Sequence, residues 1–422
     1  MARGGRGAKG PELAAIVADA FGRLPEAGEP IELPLDLAVL GGSAGPESAR
    51  LALVANRSVW DPRKVALTVD FPAPNVESRV PRSRAVCREF AAHHGLRHVF
   101  DLNLGIGAQV LLEMGVVTPG LVVGGCGRCL HLMGAAGSFV VGAEPGVLAP
   151  ALSTGKLSMR MPHLAQVEFI GPAGGLSAFD MGLMAARALE DLSADTNVQY
   201  TGRAVDALGM DGRITLVEVG ADALRGGFIA ADQVTQGFYK GRRDGGDLVT
   251  GRPDVNVAIP SRSVELSGAP LLVQGPGPGG PVRPLSDLAG KKIHSAFIGS
   301  CAAGRQADLM EAAGVVKRAR RIHGDVRLTL APATLEVARH AVTSGLYEIF
   351  INAGAMLAVS GSSPGMAGGG AVFGEGEIIL STVPYQSPMT DAGRGPEVYR
   401  ASPLVVAAAA VAGEIRHPAD LR

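Results

Sequence analysis

Phe297-Ile298-Gly299-Ser300-Cys301 is the stretch that decides the fold, because one kind of element ends there and another begins. The strand-like run from Lys292 to Ile298 stops at Gly-Ser-Cys, and a helical pattern begins near Arg305. Cys301 is therefore expected at the carboxyl end of a strand and the amino end of a helix, where backbone N–H groups and the helix dipole favour a thiolate. A thiolate held there is a metal ligand or a nucleophile.

The chain around this stretch alternates strands and helices. Five elements are predicted in the order strand, helix, strand, helix, strand: Ile293 to Ile298, Arg305 to Ile322, Val326 to Leu330, Ala333 to Leu346 and Glu348 to Ile351. This order predicts a parallel sheet with right-handed crossovers. Ligands of such sheets bind at the carboxyl ends of the strands, which is where Cys301 is expected.

Domain boundaries follow from composition. Residues 268–284 are rich in Gly and Pro, break both periodicities and are predicted to be a linker. They separate N-terminal α/β domains, residues 11–267, from a C-terminal α/β domain, residues 285–422. Residues 1–10 are basic and Gly-rich without an apolar segment, which predicts a disordered tail and not a signal peptide.

Composition excludes several classes of protein. The 422 residues are 47% hydrophobic and 19% charged, which is typical of a folded globular chain. The formal net charge of −1 argues against a nucleic-acid or anionic-membrane partner. The apolar stretch from Leu404 to Gly413 is too short to span a bilayer. Four cysteines in a chain this long do not make a disulfide framework, so a reduced cytoplasm is the expected location.

Several segments resemble, in the same order, the large subunits of the aconitase and isopropylmalate dehydratase family. The segments that carry the resemblance are Ser295 to Cys301, Asp101 to Leu111, Val117 to Gly120, Val198 to Gly202, Gly209 to Leu216, Gly393 to Gly395 and Ser402 to Gly413. The resemblance implies an aconitase-like α/β architecture of several three-layer domains with mostly parallel sheets. It also implies that Cys301 stands where the family has the first of three cysteine ligands of an iron–sulfur cluster.

The chain departs from the family pattern where the family carries its chemistry. Phe71 and Ala108 stand in place of two histidines, and Gln199 stands in place of an active-site glutamate. The family's Pro-Gly-Cys-x-x-Cys is Ser360-Gly361-Ser362-Ser363-Pro364-Gly365 here, so a standard 4Fe-4S cluster on three cysteines is not expected. By resemblance, the expected substrate-binding residues are Asp70, Gln199, Ser300, Ser362 and Ser363, and Tyr385 is expected to donate a hydrogen bond in the same cavity.

The family's Gly-Asp-Ser-His-Thr loop, which faces the Cys301 loop, is replaced by Cys126-Gly127-Arg128-Cys129. One interpretation is a relocated iron–sulfur cluster or single metal ion on Cys126, Cys129 and Cys301, with His131 as a conceivable fourth ligand. A second interpretation is that the two loop thiols are small fillers and Cys301 is a relic. A third keeps Cys301 as a nucleophile, with Arg128 stabilising its thiolate or binding an anionic substrate. Cys87 is predicted to lie in the core.

Two functional hypotheses follow from the resemblance and its departures. The first is a lyase or isomerase that acts on a small carboxylic-acid metabolite by a cysteine- or metal-centred mechanism, with Cys126, Arg128, Cys301 and Tyr385 as catalytic residues. The second is a catalytically silent large-subunit homologue that binds a metabolite or supports a partner. By resemblance, the swivelling domain that the family requires would come from a small partner subunit or be absent.

Overall fold

The computed structural model describes the chain in these ranges: 12–42, 44–70, 79–101, 103–127, 129–222, 224–242, 259–277, 279–363, 374, 376–383 and 395–421. The strands are β1 Pro30–Pro34, β2 Leu37–Leu40, β3 Val65–Thr68, β4 His98–Phe100, β5 Val122–Cys126, β6 Phe139–Gly142, β7 Lys156–Arg160, β8 His163–Ile170, β9 Thr196–Thr201, β10 Gly226–Phe228, β11 Ser261–Glu265, β12 Leu272–Gln274, β13 Val282–Pro284, β14 Ser295–Gly299, β15 Arg327–Ala331, β16 Met356–Leu357, β17 Ile378–Ser381 and β18 Glu397–Arg400.

The helices lie between these strands in the alternation that the sequence predicts. They are α1 Glu12–Phe21, α2 Gly45–Val54, α3 Arg79–His94, α4 Gly107–Glu113, α5 Pro145–Thr154, α6 Ala178–Ala188, α7 Arg203–Asp206, α8 Met210–Gly220, α9 Gln233–Tyr239, α10 Ser300–Ala303, α11 Gln306–Ala319, α12 Leu335–Thr343, α13 Leu346–Asn352 and α14 Pro403–Ala412. Short 3₁₀ helices span Leu130–Ala136, Leu285–Leu288 and Pro418–Asp420.

Three larger sheets organise the molecule. The first has the order β4-β3-β2-β5-β6 and the second the order β10-β9-β8-β11, and every strand pair in both is parallel. The third has the order β13-β12-β18-β17-β14-β15-β16 and is parallel except for the pairs made by β12. β1 and β7 form a separate antiparallel pair. The predicted architecture of several mostly parallel α/β domains is confirmed.

Each parallel sheet is covered on both faces, because side chains along a strand alternate between two apolar layers. In β2, for example, Leu37 and Val39 join one core cluster, and Ala38 and Leu40 join the other. The third sheet is also covered on both faces. One of its faces packs on α11 and α14, and Phe297 on the other face packs among residues of α6 and α8. Helix α8 is buried along nearly its whole length.

The structure corrects part of the prediction that residues 268–284 are a linker. Within residues 268–284, β12 and β13 pair with each other, and Gln274 of β12 pairs with Arg400 of β18. The segment therefore belongs to the edge of the C-terminal sheet. Between the two strands, Gly275, Gly277 and Gly279 all have positive φ, a conformation that glycine adopts without steric cost.

The predicted strand from Glu348 to Ile351 is wrong, since this segment lies inside helix α13. Gly345, with φ of 74°, starts the helix, and its buried residues are Leu346 and Phe350, spaced four apart. Ile351 is exposed. The apolar residues of this segment fit both a strand and a helix, an ambiguity that is usual for short apolar segments. The strand that follows α12 and α13 in the sequence is β16.

The apolar stretch before Gly413 forms α14, which is buried on nearly every side, as expected for a helix that is hydrophobic all round. Among the described residues, the helices are all too short or too polar to cross a bilayer.

Candidate active site

The turn after β14 presents Cys301 as the sequence predicts. β14 pairs in parallel with β15, and helix α10 begins directly after Gly299. Gly299 has φ of 141°, and a Cβ there would lie only 1.9 Å from the Ala331 carbonyl oxygen, so only glycine fits. Ser300 follows with φ of 60°, and its side chain is buried. Cys301 thus lies at the carboxyl edge of the third sheet, in a turn whose conformation requires glycine at Gly299.

Arg305, which is completely buried, holds this turn in place. Its guanidinium donates to the backbone carbonyl of Cys301 and, at 3.3 Å, to that of Ala302. The same group donates to Thr215 Oγ1 at 2.9 Å and lies 3.5 Å from the Asp308 carboxylate. A buried charge needs such partners, and through them Arg305 fixes the backbone that carries the thiol.

Helix α8 faces this turn with three polar residues at helical spacing. Asp211 Oδ2 accepts a hydrogen bond from the Ala307 N–H at 3.0 Å, and Thr215 accepts from Arg305. Glu218 comes next on the same face, because positions i, i+4 and i+7 lie one above the other on a helix. The register of α8 thus brings a carboxylate to the thiol of Cys301.

Cys129 reaches the same place from the first sheet. β5 ends at Cys126, Gly127 follows with φ of 130°, and Cys129 itself has φ of 60° before the 3₁₀ helix begins. Among the described residues, five other than glycine have positive φ, and Cys129 and Ser300 are two of them. Such strained backbone persists where the surroundings enforce it and clusters at functional sites.

Cys129, Glu218 and Cys301 form one group. Both Sγ atoms and a Glu218 carboxylate oxygen all lie within 4.8 Å of one another. The sequence analysis identified the two thiols and missed Glu218. A signal was present, because Glu218 is a lone acid inside the apolar run Leu216-Val217-Glu218-Val219. Acidic side chains are seldom fully buried unless they are paired.

His131 supports the carboxylate. Its Nε2 lies 3.0 Å from Glu218 Oε2 and 3.4 Å from the Glu218 backbone carbonyl. Burial alone would raise the pKa of Glu218, but the charge of His131 and polar contacts with His131, Cys301 and Cys129 lower it to about 2. Burial conversely lowers the pKa of His131, but the Glu218 charge, hydrogen bonds with Glu218 and the charge of Asp222 together raise it above its usual value. A polar contact with Cys301, followed by burial and by the charges of Cys301 and Glu218, raises the pKa of Cys129 well above its usual value.

Cys126 does not join this group, which corrects the prediction of three converging thiols. As the last residue of β5, it points to the opposite face of the first sheet, where its Sγ lies 3.6 Å from Ser48 Oγ and 3.9 Å from the Gly41 carbonyl oxygen. Its burial raises its pKa. Two residues of separation in a C-x-x-C do not ensure a shared face when the strand ends between them.

The remaining predicted residues lie elsewhere. Asp70 follows β3 at the edge of the first sheet, where the Gly42 N–H donates to its Oδ2 at 3.1 Å and burial raises its pKa to about 6. Gln199 lies in the middle of β9, and its Oε1 accepts from the Leu13 N–H at 3.0 Å. It therefore caps α1, a structural role that satisfies one of the helix's free N–H groups. Cys87 is buried in the core, as predicted.

Ser362 and Ser363 follow β16 at the carboxyl edge of the third sheet, where the neighbouring Gly361 N–H donates to Pro332 O at 2.8 Å. Both serines are buried, and Ser362 Oγ has no hydrogen-bond partner in the described part of the chain. The predicted residues Arg128 and Tyr385, and Gly365, lie outside the described residues.

The ligands available fit the family's cluster poorly. Ser362 and Gly365 stand where the resemblance places the second and third cysteines, and iron–sulfur clusters are held by thiolates. In a cubane, moreover, each ligand binds a different iron, so the ligand atoms stand further apart than atoms that share one ion. Cys129, Glu218 and Cys301 are too close together for that arrangement.

Comparison with known proteins agrees with this architecture. A family model described as "Aconitase family (aconitate hydratase)" matches residues 55–251 and 282–413. The 3-isopropylmalate dehydratase large subunit 1 of Methanopyrus kandleri is 31% identical over 96% of this chain and 97% of its own length. The methanogen homoaconitase large subunit of Methanocaldococcus jannaschii is 30% identical over 93% and 96%. With a strand-end site built on this fold and similarity along almost the whole chain, the protein belongs to the aconitase family.

Proposed function

We propose that this chain is a lyase or isomerase of the aconitase superfamily, acting on a small carboxylic-acid metabolite where Cys129, Glu218 and Cys301 meet. The observation that carries the proposal is the convergence of these three side chains from the first sheet, α8 and the third sheet. Ligands of parallel α/β sheets bind at this edge. Relatives of near-identical length are large subunits of 3-isopropylmalate dehydratase and homoaconitase, which supports the reaction class.

The roles of the residues follow from their electrostatics. Glu218 stays ionised through the neutral range and offers an acceptor to a substrate hydroxyl, and the raised pKa of His131 beside it favours the imidazolium form, which can donate a proton. Cys129 remains a neutral thiol unless another group removes its proton. Arg128, which stands between Cys126 and Cys129 in the sequence, is proposed to bind a substrate carboxylate, since a guanidinium pairs with carboxylates in a bidentate manner.

Proton abstraction from the substrate is assigned to a partner. The relatives are named as large subunits, and by resemblance the proton-removing serine resides on a separate swivelling domain. We therefore propose that a small subunit closes over the carboxyl edge and completes the site. A reducing cytoplasm, as expected from the composition, would keep all four cysteines in the free state in which they occur here.

The test is turnover of a panel of hydroxylated di- and tricarboxylates and their unsaturated counterparts, followed by proton NMR in D₂O, with the small subunit of a relative present or absent. Loss of water, or exchange of a substrate C–H for deuterium, supports the proposal. Glu218→Gln and Cys301→Ser should abolish the signal in protein that circular dichroism shows to be folded, and Cys126→Ser, at a buried thiol outside the group, is the matched control. Full activity in both site variants would contradict the assignment.

A second candidate is a catalytically silent homologue that binds a metabolite or supports a partner. The observation that favours it is Gln199, whose amide caps α1 where the resemblance places an active-site glutamate. This candidate predicts that a carboxylate raises the melting temperature by mass action on the folded state, without product. Stabilisation by a panel member with no turnover in any subunit combination would select this candidate over the enzyme.

A further inference from the structure

The group of Cys129, Glu218 and Cys301 has the composition and spacing of a metal site. Two thiolates that share one tetrahedral ion at bond lengths of about 2.3 Å stand about 3.8 Å apart, and a carboxylate oxygen at about 2.1 Å stands slightly closer. The three ligand atoms lie within 4.8 Å of one another without an ion. Small side-chain rotations therefore suffice to bring them onto a single ion.

A second observation points to a ligand at this place. Glu218 is 3% exposed, and in the described part of the chain its Oε2 has no hydrogen-bond partner of acceptable geometry. His131 Nε2 lies 3.0 Å from the same oxygen as an ion pair. A buried carboxylate is costly without opposite charge beside it, and a cation bound by Glu218 and the two thiols lowers that cost further.

The supporting residues are those of a preorganised centre. Arg305 fixes the Cys301 backbone, and Thr215, one helical turn before Glu218, fixes Arg305. His131 lies against Glu218 in the way that outer residues commonly orient metal-binding side chains. The three ligands thus come from three rigid elements whose relative positions are set by buried contacts.

We propose that Cys129, Glu218 and Cys301 bind one divalent, thiophilic ion, Zn²⁺ or Fe²⁺, with a fourth coordination position open to a substrate oxygen. Sulfur ligands select such ions over Mg²⁺ or Ca²⁺, and three protein ligands plus an open position is the arrangement of catalytic sites. The proposal rests on the site of the proposed function, and it replaces the predicted ligand Cys126 with Glu218. On binding, the ion displaces the thiol protons to solvent, and no oxidation is involved.

Cobalt binding tests the inference without requiring turnover. Full-length apoprotein, prepared anaerobically with reductant, is titrated with Co²⁺, and the bound metal is also counted by mass spectrometry. The expected result is one ion per chain with a thiolate-to-cobalt charge-transfer band. Cys129→Ser, Cys301→Ser and Glu218→Gln should each lose the saturable site, and His131→Gln should weaken binding about 10–100-fold as an outer residue.

The controls keep the result interpretable. Cys126→Ser and Cys87→Ser, both at buried thiols outside the group, should bind Co²⁺ as the parent does, and melting curves identify any variant that does not fold. Binding that survives both Glu218→Gln and Cys301→Ser, or that is lost in Cys126→Ser, overturns the proposal. A brown protein with inorganic sulfide would show a cluster instead, and a Cys129–Cys301 disulfide with no metal uptake after reduction would also overturn it. Stoichiometric metal with no turnover refutes only the proposed function.

Discussion

Glu113 offers a stability test where the end of α4 meets the residue before α12. It ends α4, and its Oε1 accepts hydrogen bonds from Gln109 Nε2 at 2.9 Å and from Thr334 Oγ1, which lies just before α12, at 2.9 Å. Burial, aided by the charge of Glu336, raises its pKa from 4.5 to about 7, although its hydrogen bonds oppose the rise. The perturbation is Glu113→Gln, which keeps the shape and an acceptor for both donors.

The sign follows from proton linkage. Between pH 4.5 and about 7 the folded chain holds a proton that the unfolded chain releases, so the free energy of unfolding falls as pH rises through this window. Each unit of pKa difference corresponds to about 1.4 kcal/mol, so the ionised carboxylate lowers stability by at most ~3 kcal/mol above pH 7. Glu113→Gln should therefore gain ~1–3 kcal/mol at pH 8 and close to nothing at pH 4.5.

The assay is the melting temperature of the parent and the variant at both pH values. At a few degrees per kcal/mol, the gain at pH 8 should be readily measured. Glu168→Gln, at an exposed position of β8, is the control, and it should show no such pH-dependent gain. A Glu113→Gln variant that is equally stable relative to the parent at both pH values, or less stable at pH 8, would refute the reasoning.

Two further predictions concern residues that hold the site together. Arg305→Met leaves the Asp308 carboxylate buried without its cation, so it should lower stability by about 3–5 kcal/mol in denaturant unfolding; an unchanged midpoint would contradict the role given to Arg305. Gln199→Ala removes the acceptor of the Leu13 N–H, so it should cost about 1 kcal/mol and speed hydrogen exchange in α1. Lost turnover with unchanged exchange would instead make Gln199 a substrate ligand.

The alternation of strands and helices around Cys301 was predictable because each element is long enough to show its period. β14, α11, β15 and α12 all lie within a few residues of their predicted bounds. The turn was predictable too, because Gly299 interrupts the apolar strand. The structure explains this glycine, since its positive φ and its close approach to Ala331 exclude a side chain. The segment of α13 was not, because seven residues are too few to separate a helical from an extended apolar pattern.

The composition of the site was predictable only in part. Cys129 and Cys301 could be paired because the resemblance sets their loops face to face. Glu218 could not, since its position depends on how α8 packs between two sheets, which is a tertiary property. Cys126 was misassigned for a local reason: the end of β5 and the left-handed turn at Gly127 send the two thiols to opposite faces.

X-ray absorption at the zinc edge of the full-length chain, loaded with one equivalent of Zn²⁺, tests most directly whether the three side chains form one centre. The account predicts two sulfur scatterers at about 2.3 Å and oxygen or nitrogen at about 2.0–2.2 Å. It predicts that Cys129→Ser, which loses the site, no longer shows two sulfur scatterers, and that Cys126→Ser leaves the spectrum unchanged. Light scatterers alone, or a sulfur count that Cys129→Ser leaves at two, would contradict it.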